Sequence, residues 1–243
     1  MHNMNILIVN MGNLVYNLAS TSIIKSIQKK LSDAKITWVV NNEEHKSIFK
    51  FNNNVNKVCN ISEIPNKKYD VCINLFPADI TELHIQSNYF LGFGYNDSLD
   101  YLIPYLTEDK IPHSSFYLFQ VIHWAAGLTW KGQSYDISYF PHSKQKINRL
   151  GIKSTNDNIK NYIKDKLNVD NMKVYYLPYK KNILKRMDEI NKCSRIITDD
   201  LLTCHLAISL RKFVIFLQKV PMPFKIEFFG KGVTIHVPKA IYL

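Results

Sequence analysis

Two loops carry residue types that could do chemistry. The first is Asn10-Met11-Gly12-Asn13-Leu14, where a glycine and an amide follow an apolar run. A glycine between a strand and a helix lets backbone approach a ligand closely, and the helix start offers free N–H groups to an anion. The second is Thr198-Asp199-Asp200-Leu201-Leu202-Thr203-Cys204-His205, in which two carboxylates end the apolar run Ile196-Ile197. A helix-like run follows, with Leu206, Ser209 and Leu210 at helical spacing. Its start would present unbonded N–H groups and a partial positive charge, which suit a phosphate. Thr203 reads as the N-cap of this helix and His205 as a first-turn residue. An ordinary crossover helix with a surface His205 has the same pattern.

Several chemistries are not expected. Neither loop is G-x-G-x-x-G or a P-loop, and no acid ends the second apolar run to take a ribose, so a nicotinamide cofactor is not expected. The four cysteines, Cys59, Cys72, Cys193 and Cys204, form no C-x-x-C pair. His113 and His142 flank no carboxylate. No metal site and no cofactor are therefore expected. Cys72 and Cys204 lie in apolar runs and read as buried thiols of a reducing, cytoplasmic compartment.

Elements of fixed period must hold these loops. Ile6-Leu7-Ile8-Val9 is a continuous apolar run, as in a strand covered on both faces. A helix is predicted over 14–31, with Leu14, Leu18, Ile23, Ile24, Ile27 and Leu31 on one face, and a strand over 36–40. Further strands are predicted at 55–61, 69–75 and 89–94, and helices at 43–50 and 116–128. The stretch 130–141 has no helical period and reads as a packed linker. The pattern then restarts: strands at 150–152, 173–177, 196–197, 213–217 and 233–237, and helices at 158–167, 183–191 and from Thr203. The layout is α/β in two halves, with a parallel sheet in each.

The 243 residues suffice for one large domain or two small ones. The formal net charge of +11 favours acidic partners. Its lysines come as pairs such as Lys29-Lys30, Lys67-Lys68 and Lys180-Lys181, and no zinc-finger or RNP pattern occurs, so nucleic acid is not the expected partner. No apolar stretch approaches the roughly 18 residues of a membrane span.

These motifs resemble those of glycosyltransferase family 9, the ADP-heptose:lipopolysaccharide heptosyltransferases. That family has a Pro-Asp-Ala-x-Ile-x-Trp turn into its second strand; here the turn is Ser32-Asp33-Ala34-Lys35-Ile36-Thr37-Trp38. Tyr69-Asp70-Val71-Cys72-Ile73-Asn74-Leu75 is similar to its Tyr-Asp strand. Asp200 and His205-Leu206-Ala207 keep the spacing of its late motif Asp-Thr-Gly-x-x-His-x-Ala, with Leu201-Leu202 in place of Thr-Gly.

The resemblance implies a GT-B-like α/β fold, two Rossmann-like domains facing across a cleft. Residues 1–147 would bind the acceptor and 148–243 the nucleotide sugar. It implies inverting, metal-independent transfer of a heptose or similar sugar from an ADP-heptose-like donor. The acceptor would be a glycolipid or protein in cell-surface glycan synthesis, met at the inner membrane surface. Gly12 and Asn13 fall on the acceptor side. Asn13 stands where the family carries its base, and a neutral amide cannot act as one. Asp79 and Asp97 are the alternative carboxylates. Lys153, Ser154, Thr155, Asp200, Thr203, His205 and Glu227 are the expected donor contacts. Glu227 meets a ribose or belongs to a surface loop. A protein altered at both loops could also bind a nucleotide sugar, or a partner glycosyltransferase, without catalysis.

Overall fold

The computed structural model describes residues 4–107, 116–154, 156–166, 171–219, 222 and 224–237. It contains two five-stranded parallel sheets. In the first, β1 (Asn5–Asn10), β2 (Lys35–Val40), β3 (Lys57–Asn60), β4 (Tyr69–Asn74) and β5 (Ser87–Gly92) run in the order β3-β2-β1-β4-β5. In the second, β6 (Arg149–Lys153), β7 (Lys173–Tyr176), β8 (Arg195–Thr198), β9 (Phe213–Gln218) and β10 (Gly232–His236) run β10-β9-β8-β6-β7.

The central strands are the apolar ones. Leu7, Ile8 and Val9 of β1 are fully buried, and β1 pairs with β2 (Ile6 beside Ile36) and with β4 (Ile6 beside Val71). A parallel strand with neighbours on both edges and cover on both faces must be apolar throughout. In β8 the two middle residues, Ile196 and Ile197, are buried between β6 and β9.

The helix expected over 14–31 is two helices, α1 (Leu14–Ser20) and α2 (Ser22–Lys30), meeting at Thr21. There the Thr21 N–H and hydroxyl both reach back to the Leu18 carbonyl, at 3.3 and 2.8 Å. Such three-residue back-bonding tightens the turn and breaks the ladder. Short helices α3 (Glu43–Lys46) and α4 (Ile103–Thr107) and the helix α5 (Leu118–Ala125) complete the first set. The second sheet is joined by α6 (Asp157–Lys166), α7 (Ile183–Asn191) and α8 (Leu201–Ser209).

The chain divides into two compact units, each built on one sheet. The boundary falls between Ser138 and Tyr139, and Met222–Ile226 returns to the first unit. The expected split at 147/148 lies nine residues further on. Hydrogen bonds explain the difference. Asp136 donates its N–H to Thr21 Oγ1 at 2.9 Å and accepts Asn52 Nδ2 at its carbonyl at 2.6 Å, which ties the linker to the first unit. From Tyr139 onward the partners are on α7: the Tyr139 hydroxyl and the His142 N–H donate to Asp188 at 2.9 and 3.0 Å.

The units divide the charge unequally. The first has equal numbers of basic and acidic side chains, so the whole formal net charge of +11 belongs to the second. Among the described residues no helix is long and apolar enough to cross a membrane.

Candidate functional site

A doubly wound sheet binds ligands outside the carboxyl ends of its strands, where the chain reverses the direction in which it adds strands. In the first unit that point lies between β1 and β4, and in the second between β6 and β8. The two loops singled out in the sequence stand at these points.

In the first unit the loop after β1 is held from below. Asn10 is fully buried, donates to Ser20 Oγ at 2.9 Å and accepts the Gly12 N–H at 3.1 Å. Asn17 Nδ2 donates to the Gly12 carbonyl at 2.8 Å and approaches His45 Nδ1 at 3.2 Å. Burial pushes the His45 pKa down, so its imidazole is neutral. The Tyr16 hydroxyl crosses the switch point to donate to the Leu75 carbonyl at 2.8 Å. On the other side, Asn74 Nδ2 donates to the carbonyls of Ala78 and Phe93, both at 3.0 Å, which fixes the loops after β4 and β5.

Asn13 is exposed at the head of this loop. Its side chain accepts the Tyr16 N–H at 3.0 Å and is the N-cap of α1. The close approach at Gly12 is to Tyr16: a Cβ there would lie 2.8 Å from Tyr16 Cδ1. Asp79 is exposed in the loop after β4, and two hydrogen bonds from Thr81 hold its carboxyl below the usual range. Asp97 is exposed at the start of the 3₁₀ turn Asp97–Leu102.

In the second unit the switch point is a dense polar cluster. The Ser154 hydroxyl donates to Asp199 Oδ2 at 2.9 Å, and Lys219 Nζ reaches the same oxygen at 2.5 Å. The Asp199 side chain is only 4% exposed, so this pairing neutralises a desolvated carboxylate. The Thr198 hydroxyl donates to the Lys153 carbonyl at 2.9 Å and accepts the Asp200 N–H at 3.0 Å. These bonds lock the ends of β6 and β8 together.

The start of α8 differs from expectation. The helix begins at Leu201, and Asp200, not Thr203, is its N-cap: the Asp200 carboxylate accepts both the N–H and the hydroxyl of Thr203. This is the commoner cap arrangement, with the acceptor three residues before the N–H it satisfies. Thr203 is buried. His205 is buried in the second turn of α8 and is not a first-turn or surface residue. Burial pushes its pKa down to about 4, which leaves it neutral. The cause is packing: α8 lies against α7, β8 and β9, and all residues from Thr203 to Ile208 are buried.

Lys153 and Ser154 stand at the end of β6 as expected, while Thr155 lies outside the described residues, as does His113. Glu227 is half-buried and its carboxylate accepts the Phe229 N–H at 2.7 Å, which ties the turn before β10. Lys219 escaped the sequence reading, although a lysine one residue beyond an apolar strand is the signal that would have found it. Among the described residues no three His, Cys, Asp or Glu side chains gather to hold a metal ion.

Two parallel doubly wound sheets, each with a polar loop pair at its switch point, give the chain an α/β architecture like that of GT-B heptosyltransferases. Neither a protein-family model nor a curated protein sequence matches the chain. Solved structures do, among them heptosyltransferases and a glycosyltransferase family 9 protein. The chain is similar to the E. coli heptosyltransferase WaaC with ADP-2-deoxy-2-fluoro heptose, with a TM-score of 0.66 and 12% identity over 97% of this chain and 94% of that one. A glycosyltransferase family 9 protein from Veillonella parvula DSM 2008 gives 0.63 and 15% identity over 97% of this chain and 87% of that one. E. coli ADP-heptose lps heptosyltransferase II gives 0.63 and 12% over 97% and 91%. At these identities the likeness is one of fold.

Proposed function

We propose that this protein is a glycosyltransferase that moves a heptose or similar sugar from a nucleotide-diphosphate donor to a cell-surface glycan, the core of a lipopolysaccharide or lipooligosaccharide. The observation that carries this reading is the whole-chain likeness to heptosyltransferases, over 97% of the chain, together with a polar switch point in each unit. The second unit takes the donor and the first the acceptor. In one inverting displacement the acceptor oxygen forms its bond to the anomeric carbon as the carbon–oxygen bond to the diphosphate breaks. The acceptor proton passes to a carboxylate, and the diphosphate leaves with the electron pair. No metal is needed if the basic second unit holds that leaving charge. The work is done in the cytoplasm, at the inner membrane surface.

Asn13 does not accept the proton, because its amide is neutral and its oxygen serves as the cap of α1. Asp79 is the better base, since it follows β4 at the same switch point and is exposed to an acceptor. One observation favours a second reading. The base position holds a helix cap and the start of α8 holds Leu201-Leu202, which fits a protein that binds a nucleotide sugar or a partner glycosyltransferase without turnover.

A single experiment separates the two. The purified chain is mixed with ADP-heptose and other nucleotide sugars, with and without cell-envelope extract, and thermal shift and nucleotide release are followed. Stabilisation with extract-dependent release is expected. Stabilisation without release would leave only the binding reading, and no stabilisation by any nucleotide would sink both.

A further inference from the structure

The second unit carries a row of cations along one end of its sheet. Arg149, Lys173 and Arg195 are the first residues of β6, β7 and β8, Arg211-Lys212 directly precedes β9, and Lys231 directly precedes β10. Strand pairing sets them side by side. Arg149 stands beside Lys173, Arg195 beside Phe213, and the Val214 N–H donates to the Lys231 carbonyl at 3.0 Å. With neighbouring strands about 4.8 Å apart, five strands make a row about 19 Å long. This end is opposite the switch point, which lies at the carboxyl ends of the same strands.

A strap crosses the row. The Lys146 N–H donates to the Lys192 carbonyl at 3.1 Å, Ser194 Oγ donates to the Ile147 carbonyl at 2.7 Å, and the Lys173 N–H donates to the Asn148 carbonyl at 2.8 Å. Lys212 turns inward and holds the strap, donating to Gln145 Oε1 at 2.7 Å and to the Asn191 carbonyl at 3.3 Å. Lys146, Lys173, Arg195, Arg211 and Lys231 are exposed, and among the described residues none of them has a carboxylate within 4.0 Å. Glu189, the acid near the end of α7, is taken up by Lys192 and the Tyr175 hydroxyl.

Apolar groups lie among these cations. Ile147 is 80% exposed on the strap, and Phe213 is 42% exposed beside Arg195. Ile147, Met172 and Arg195 line one cleft of about 590 Å³. A row of cations alone suits any polyanion. Cations with exposed apolar side chains between them suit a lipid interface, where phosphates meet the cations and the apolar groups enter the acyl boundary. We propose that this end of the second unit docks on an anionic phospholipid membrane, with Lys146, Lys173, Arg195, Arg211 and Lys231 at the headgroup phosphates and Ile147 inserted between them. Docking here leaves the switch-point loops of the unit uncovered. As the way the enzyme reaches a membrane-held acceptor, this rests on the glycosyltransferase reading. The docking itself is tested apart from it.

The test is sedimentation of the full chain with vesicles of phosphatidylcholine, alone or mixed with phosphatidylglycerol. The mixed vesicles are expected to carry the chain down, less so as salt rises, and phosphatidylcholine alone to leave it in solution. Lys173→Gln combined with Arg195→Gln is expected to weaken binding about twentyfold, since each cation near an anionic surface contributes about fivefold. Lys29→Gln combined with Lys30→Gln removes the same charge from α2 in the first unit, and should bind within about twofold of the parent. Ile147→Ser should weaken binding about tenfold. All these side chains are exposed, and thermal midpoints equal to the parent's show that the variants are folded. Equal losses in the two double variants, or no binding to the mixed vesicles, overturn the surface. So does capture by poly-glutamate without vesicle binding, which makes the partner an acidic protein. Vesicle binding controlled by the row upholds the proposal even if no sugar is ever transferred, and sugar transfer by a chain that never sediments overturns it.

Discussion

The Asn13 side-chain oxygen accepts the Tyr16 backbone N–H at 3.0 Å, so the residue proposed to stand in place of a base is the N-cap of α1. An aspartate caps as well and gains from the helix dipole. Asn13→Asp is therefore expected to keep its thermal midpoint within about 3 °C of the parent. Asn13→Ala should lose about 1 kcal/mol in denaturant unfolding. If the amide is only a lost base, the aspartate variant also raises nucleotide release from the donor. A fall in release would give Asn13 a role of its own.

Tyr16 closes the first switch point by donating to the Leu75 carbonyl at 2.8 Å. Tyr16→Phe leaves that buried carbonyl without its partner, a change that costs about 1–3 kcal/mol. Chemical denaturation checks it, and a variant as stable as the parent would show that water replaces the hydroxyl.

Gly92 and Gly94 both have positive φ, +97 and +79, but only Gly92 is crowded. A Cβ at Gly92 would lie 1.9 Å from the Asn74 carbonyl oxygen, whereas at Gly94 nothing lies within 4 Å. Gly94→Ala should cost about 1 kcal/mol from backbone strain alone. Gly92→Ala adds a clash with backbone that cannot turn aside, and is expected to cost at least about 3 kcal/mol. Similar losses at both positions would refute the difference in packing.

His205 is neutral in the folded chain, with its pKa pushed from 6.5 down to about 4 by burial. The unfolded chain binds a proton near pH 6.5 that the folded chain refuses until about pH 4. Stability therefore falls as pH drops through that window and levels below it. His45 and His123, also lowered by burial, act in the same direction. Thermal midpoints measured from pH 7.5 to 4.5 should decline. His205→Gln should decline less steeply, and an unchanged slope would exclude His205 as a source.

Lys219 neutralises the Asp199 carboxylate, which also accepts from Ser154. Lys219→Met leaves that desolvated charge with the hydroxyl alone. A loss of about 2 kcal/mol is expected, reduced from a fully buried pair because the lysine is 35% exposed. Asp199→Asn in the same background should recover part of it. Additive losses in the double variant would show that the two residues do not interact.

The layered architecture was legible because it rests on period. Ile6 to Val9 read as a strand covered on both faces and Ile196-Ile197 and residues 213–217 as strands, and the residues of the central strands β1 and β8 from Ile6 to Val9 and at Ile196 and Ile197 are buried. The α7 helix, Ile183–Asn191, was legible to the residue because Asn182 caps it and Ile183, Met187 and Ile190 repeat at helical spacing. The break at Thr21 was not, since the apolar stripe continues through it.

At the second switch point, types and spacing located the loops but not the duties within them. Asp200 and Thr203 form a cap over three residues, a local feature that sequence could have assigned either way. The pairing of Ser154 with Asp199 spans 45 residues, and the burial of His205 depends on α7, β8 and β9 packing round it. Sequence by itself determined the strands, helices such as α7 and the two polar loops, because backbone period and capping are local, but not the break at Thr21, the start of α8 or the short helix α4. Only the tertiary structure decided which carboxylate is neutralised and which histidine is dry, because those depend on partners brought together by the sheet.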